Sequence, residues 1–133
     1  MSKYSKNSVR KLEEFLYNSH IHDSRLENIR YDFGRDKIEI ELFNPIFDVK
    51  YYLVFSSIEV MFTTRGKWYA NREIISSLTI EDFSYLKNYL VQFDEYAGEP
   101  LYLLFQMFSG DEVHIVSKEV SIEIHCEKGN CPY

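Results

Sequence analysis

The chain has 133 residues, the length of one ordinary domain, and carries 15 Lys and Arg against 21 Asp and Glu for a formal net charge of -6. That balance excludes a general nucleic-acid binder, whose affinity rests on neutralising phosphates with basic groups, and it suits a basic protein partner instead. Aromatic residues make up 17%, with 11 Tyr and 10 Phe, which leans the composition toward pleated sheet.

No apolar run approaches the ~18 residues of a membrane-spanning helix. The polar start Met1 to Asn7 leads into no apolar core of a secretory signal, so a cytoplasmic location is expected. Cys126 and Cys131 are then expected as two free thiols in preference to a small disulfide ring.

Val9, Leu12, Phe15 and Leu16 recur at helical spacing between charged residues, so an amphipathic helix is expected from about Asn7 to Asn18, capped by Asn7 or Ser8. The period changes at His20-Ile21-His22-Asp23-Ser24. Beyond this joint Ile29, Tyr31 and Phe33 alternate with polar residues, a turn follows at Gly34 to Asp36, and Ile38, Ile40 and Leu42 alternate again. Together they read as a hairpin with one wet and one buried face, ended by Asn44-Pro45.

The next β-like stretch runs from Val49 to Thr64. Its apolar residues hold odd positions up to Phe55 and even ones from Ile58, which requires a bulge or bend at Ser56-Ser57. Arg65 to Lys67 turns the chain, and Asn71 to Ser77 is ambiguous. Thr79 and Asp82 have the spacing of a capping box, so a second helix is expected near 80–96. Leu101 to Phe108, apolar on both sides, reads as a central strand, followed by strands at Val113 to Val116 and Val120 to Ile124 and a loose tail at 126–133. The expected fold is α+β, a single domain over 1–133 with a mostly antiparallel, twisted or partly barrel-like sheet of about six strands.

The joint concentrates the residue types of a hydrolase triad in His22, Asp23 and Ser24 beside His20. Contiguous residues on an extended chain point to opposite sides, however, and no Gly-rich loop or G-x-S-x-G elbow supplies an oxyanion site, so no catalytic residue is assigned. A junction is the favoured reading, with Asp23 accepting backbone N–H groups and Ser24 satisfying the helix-to-strand turn. The alternative is a small-molecule or metal-binding domain or a hydrolase that uses His20, His22 and Asp23, brought together with His114 or His125. No metal site is assigned, because no H-E-x-x-H or paired C-x-x-C is present, and no cofactor is expected.

Two patterns suit a partner surface. Glu39, Glu41 and Glu123 fall on the wet faces of alternating strands, and Tyr85, Tyr89 and Tyr96 would form a second stripe on the expected helix, near Trp68 and Tyr69 in sequence. A solvated sheet face and a wide buried helix arc are the plainer readings of the same residues.

The N-terminal helix, His22-Asp23-Ser24, the strand hairpin, the Phe-rich strand and the late Gly110-Asp111 turn together resemble a group of small uncharacterised bacterial domains. Those domains carry a His-Asp-Ser or His-Asp-Ala joint, and some are similar to immunity proteins encoded beside polymorphic toxins. The resemblance implies an α+β cytoplasmic domain without catalytic residues that binds a toxin. A non-enzymatic protein-binding domain with a basic protein partner, without nucleic acid or membrane, is the function expected on these grounds.

Overall fold

The computed structural model describes residues 2–64, 74–88 and 100–126. Seven strands make one antiparallel sheet: β1 (Ser2–Ser5), β2 (Arg25–Asp32), β3 (Lys37–Asn44), β4 (Val49–Thr63), β5 (Ile75–Ile80), β6 (Leu101–Met107) and β7 (Glu112–Cys126). Their order is β2-β3-β4-β7-β6-β5, with β1 added beside β7. The axis is β7, whose 15 residues pair with β4 along their length, with β6 over Glu112 to Ser117 and with β1 over Glu119 to Ile122.

Among the described residues one α-helix, α1 (Val9–Asn18), follows a 3-10 turn at Lys6–Ser8. That turn is held by Ser5 and Ser8, the Ser5 N–H donating to Ser8 Oγ at 2.9 Å. Leu12 is fully buried, and Val9, Phe15 and Leu16 pack on the same core, as the helical spacing requires. Exposed charges fill the rest of the surface, so α1 lies on one face of the sheet.

Beneath α1 sits the main core, formed by Ile38, Ile40 and Leu42 of β3, Tyr51, Leu53 and Phe55 of β4, Phe105 of β6 and Ile115 of β7, all within 1% of complete burial. Phe55 and Phe105 meet edge to face, 6.3 Å between ring centroids. The long strand β4 does change phase where its sequence slips. Ser57 takes a left-handed φ of 59°, and the β4–β7 ladder shifts register between Ile58 and Val60. The β2–β3 turn anchors this distortion, since Asp36 accepts the Ser57 N–H with its carbonyl and the Ile58 N–H with Oδ1. Past the bulge, Val60 and Phe62 face a second, smaller cluster on the opposite side of the sheet, with Leu86, Tyr102, Leu104 and Val116. The sheet therefore has two apolar faces at this end and one at the other.

Three expectations need correction. The second helix is not what the described residues form: Thr79 and Ile80 end β5, Thr79 Oγ1 donates to Glu81 Oε1 at 2.9 Å, and only a 3-10 helix at Phe83–Asn88 follows. The remainder of the expected helix, including Tyr89 and Tyr96, lies outside the described residues, as do Trp68, Tyr69, the turn at 65–67 and the tail at 127–133. The two last expected strands are one, because continuous pairing with β4 carries β7 through its polar middle at Ser117 to Glu119. Ser2–Ser5 and Ile75–Ile80 add two strands, which brings about six to seven.

Although the sheet is not closed, its two end strands touch. Arg25 at the start of β2 bridges Ile74 just before β5. Beside it the Ile75 N–H donates to the Ser24 carbonyl at 2.9 Å, and the Asp23 N–H donates to the Ile75 carbonyl at 2.8 Å. No helix among the described residues is long and apolar enough to cross a membrane.

Candidate functional site

The joint at residues 19–24 is a dense knot of backbone bonds. Ser24, fully buried, donates through Oγ to the His20 carbonyl at 2.6 Å, and Asn44 Nδ2 donates to the same oxygen at 2.9 Å. The His20 N–H donates to the Tyr51 hydroxyl at 2.8 Å, which ties the joint into the main core. Burial raises the pKa of that tyrosine, and the bond from His20 opposes the rise. Asp23 acts through its backbone, with φ at 67°, while its carboxylate points to solvent. The His20 ring stacks on Phe47, 3.7 Å between centroids, and the His22 ring lies 6.4 Å from that of His20. Ser24 and His22 thus have different partners, one inside and one exposed.

The remaining histidines sit elsewhere. His125 is exposed at the far end of β7, opposite Lys50 in register, with Nε2 3.4 Å from Glu123 Oε1. His114 is completely buried on the second face, where Phe62 stacks on its ring at 4.1 Å. The joint histidines make no ring contact with either. Among the described residues no group of three or more His, Cys, Asp or Glu is arranged to hold a metal ion.

His114 centres a polar network that single-strand patterns do not reveal. Its Nε2 lies 3.2 Å from Glu112 Oε1, and its Nδ1 lies 2.5 Å from the Tyr102 hydroxyl. With the carboxylate accepting from Nε2–H, Nδ1 is the bare nitrogen and receives the Tyr102 O–H. Glu112 Oε2 also accepts from the Tyr85 hydroxyl and from Gln106 Nε2, each at 3.2 Å. Burial lowers the pKa of His114, against the raising effect of Glu112, so the ring is neutral at pH 7. Burial, with Tyr85 and Glu81 nearby, pushes the Tyr102 hydroxyl well above its ordinary value. The arrangement can hold a proton in a fixed order from tyrosine to histidine to carboxylate. Tyr85, placed on the second stripe of the expected helix, is half-buried and serves this network. The one sequence signal was the even spacing of Glu112 and His114, which puts both on one face of a strand.

The third arrangement is the outer face of β2, β3, β4 and β7, turned away from the main core. In register across it run Asn28, Glu41, Tyr52 and Glu123. Glu39 lies one row away and is ion-paired with Arg30, whereas Glu41 is exposed. The row opens at one end into a hollow of about 820 Å³ whose lining includes Arg25, Phe43, Lys50 and Tyr52. All three acids singled out from the alternation share this face, with cations interleaved.

No family model and no curated protein matches the chain. A crystal structure of an uncharacterized protein from Neisseria gonorrhoeae is similar over 77% of this chain and 91% of that chain, with 13% sequence identity and a TM-score of 0.42.

Cys126 departs from the expected free thiol: it is disulfide-bonded, and no cysteine among the described residues is free. Cys131 lies outside the described residues.

Proposed function

We propose that this domain is a non-enzymatic protein-binding module whose outer sheet face receives a basic protein, in the manner of an immunity protein that occludes a toxin. The observation that carries this reading is the in-register row Glu41, Tyr52 and Glu123 on a solvent-facing sheet surface. Tyr52 offers a flat, half-buried ring of the kind that anchors interfaces. The acids beside it steer a cationic partner and fix its orientation, and the hollow beyond Glu41 can take a protruding side chain. The chain's net charge of -6 adds a long-range attraction of the same sign.

The test is affinity capture from the native host with the wild-type chain and with a Glu41→Lys/Glu123→Lys variant, over a series of salt concentrations. A basic protein recovered by the wild type, released by salt and lost from the variant supports the reading. Equal recovery by both, or no basic protein recovered by either, would overturn it.

A further inference from the structure

A different part of the molecule leaves a strand edge open beside a groove. Just past β5 the Glu81 N–H donates to the Tyr102 carbonyl at 2.9 Å, so Glu81, and by alternation Thr79 and Ser77 of β5, turn their backbone groups toward β6 in the register of that ladder. Leu78 and Ile80 therefore turn theirs to the opposite edge. That edge already works as a ladder at its beginning, where Asp23 and Ser24 take the outward groups of Ile75. Past Ile75 the joint leaves β5: the Ser24 N–H folds back onto the Ile21 carbonyl at 3.0 Å, and the chain runs up into α1. Among the described residues none bonds the outward N–H and C=O of Leu78 or Ile80.

The divergence leaves a groove of about 490 Å³ between β5 and the last turns of α1. Its floor is apolar, with Ile21 and Leu78 buried and Leu16 half-buried; Tyr17, 86% exposed, stands at the rim with His22. Glu13 is the one lining residue with a formal charge at neutral pH. Four residues of open edge, 77–80, correspond to roughly 13 Å of strand.

The geometry points to capture of an extended peptide segment of a partner protein, which adds a strand to the β5 edge between β5 and α1. The incoming strand would exchange backbone bonds with Leu78 and Ile80, set an apolar side chain against Leu16, Ile21 and Leu78, and place a lysine or arginine near Glu13. Main-chain bonds supply the affinity and the alternate side chains the selectivity, as in other cases of strand addition. This inference goes beyond the outer-face reading and does not rest on it, since the groove shares no residue with the row of Glu41, Tyr52 and Glu123.

The experiment uses the full chain and an acetylated, amidated heptapeptide of alternating valine and lysine, with a control peptide N-methylated at alternate residues to remove the ladder donors. Backbone amide exchange and chemical shifts are followed by NMR. In the free protein the Leu78 and Ile80 amides should exchange rapidly, and saturating peptide should protect both. The N-methylated control should bind at least about tenfold more weakly, as expected for losing two backbone bonds. Glu13→Lys, at an exposed helix position, should weaken the lysine peptide while leaving a valine–threonine peptide unaffected. Slow exchange of both amides without peptide, equal binding of the two peptides, or shifts centred away from β5 and α1 would overturn the inference. So would protection that grows with protein concentration alone, together with a dimer in sedimentation, because a second copy would then fill the groove. None of these outcomes bears on Glu41 or Glu123, so failure here and failure of the outer-face reading are separable.

Discussion

The two sides of the sheet bury comparable strands by opposite means. Under α1 the core is aliphatic and aromatic, and the buried tyrosine in it, Tyr51, spends its hydroxyl on a backbone N–H of the joint. On the other side the buried cluster is Leu86, Leu104 and Val116 beside a tyrosine–histidine–glutamate chain that starts at Tyr102. Burial of apolar surface needs no geometry beyond contact, so the first side tolerates variation in direction but not in volume. The second side depends on polar groups that are costly unless every partner is in place. The same strand, β7, serves both, with Ile115 facing one core and His114 the other.

The contrast is broken most severely by emptying the first side. Phe55→Ala removes a fully buried ring and its edge-to-face contact with Phe105. Destabilisation of about 3–5 kcal/mol is expected, read as a lower urea midpoint with an unchanged slope. A loss below about 1 kcal/mol would mean that the site collapses to fill the void.

The second side is probed by His114→Phe, which preserves the flat ring against Phe62 but strands the Tyr102 hydroxyl. A deprived buried hydroxyl costs about 1–3 kcal/mol, so a smaller loss than in the main core is expected. The pH dependence distinguishes the two sides more sharply. Because the folded pKa of His114 is depressed, the unfolded chain binds the proton first as pH falls, and stability contributed by the neutral ring is complete above about 6.5 and declines below it. Glu112, Tyr102 and Tyr85 face the ring from β7, β6 and the 3-10 helix, and Glu112 moderates the effect. Wild-type stability should therefore fall between pH 7 and 5 more steeply than that of His114→Phe. Parallel curves would show that His114 titrates alike in both states.

How far the sequence reveals these two sides differs for the same reason. Ile38, Ile40 and Leu42, or Val9, Leu12 and Leu16, announce the main core because one-sided burial leaves a period of 2.0 or 3.6 in a single segment. The slip at Ser56-Ser57 was visible as a change of parity; the left-handed Ser57 stands there, and the register shift follows just beyond it, between Ile58 and Val60. The strand β5 was hidden by its own irregularity, a register shift between Ile75 and Ser77 that breaks alternation, and by a Thr79-to-Asp82 spacing that imitates a helix start. The polar stretch Ser2–Ser5 carries no strand signal; its conformation comes from its ladder with β7. The His114 network joins residues from β6, β7 and the 3-10 helix, so only the sheet register could assemble it. The joint was legible as a junction from its contiguity, but its stitching to Ile75, 50 or more residues onward, was not.

The smallest effects belong to that joint, where the first side is attached to the sheet edge. Ser24→Ala deletes the bond from Oγ to the His20 carbonyl, yet Asn44 Nδ2 still donates to that oxygen. The acceptor is therefore not orphaned, and a loss of about 1 kcal/mol is expected. His22→Ala, at an exposed position, should change stability by less than about 0.5 kcal/mol. A graded pair of this kind, measured by urea unfolding, fits a segment whose buried hydroxyl maintains the turn and whose exposed ring faces the β5 groove. Equal losses at both positions would contradict it, since His22 would then have to be a structural partner of the core. No change at Ser24 would be equally damaging, because it would leave the connection between α1 and β5 to the backbone bonds of Asp23, Ser24 and Ile75 alone.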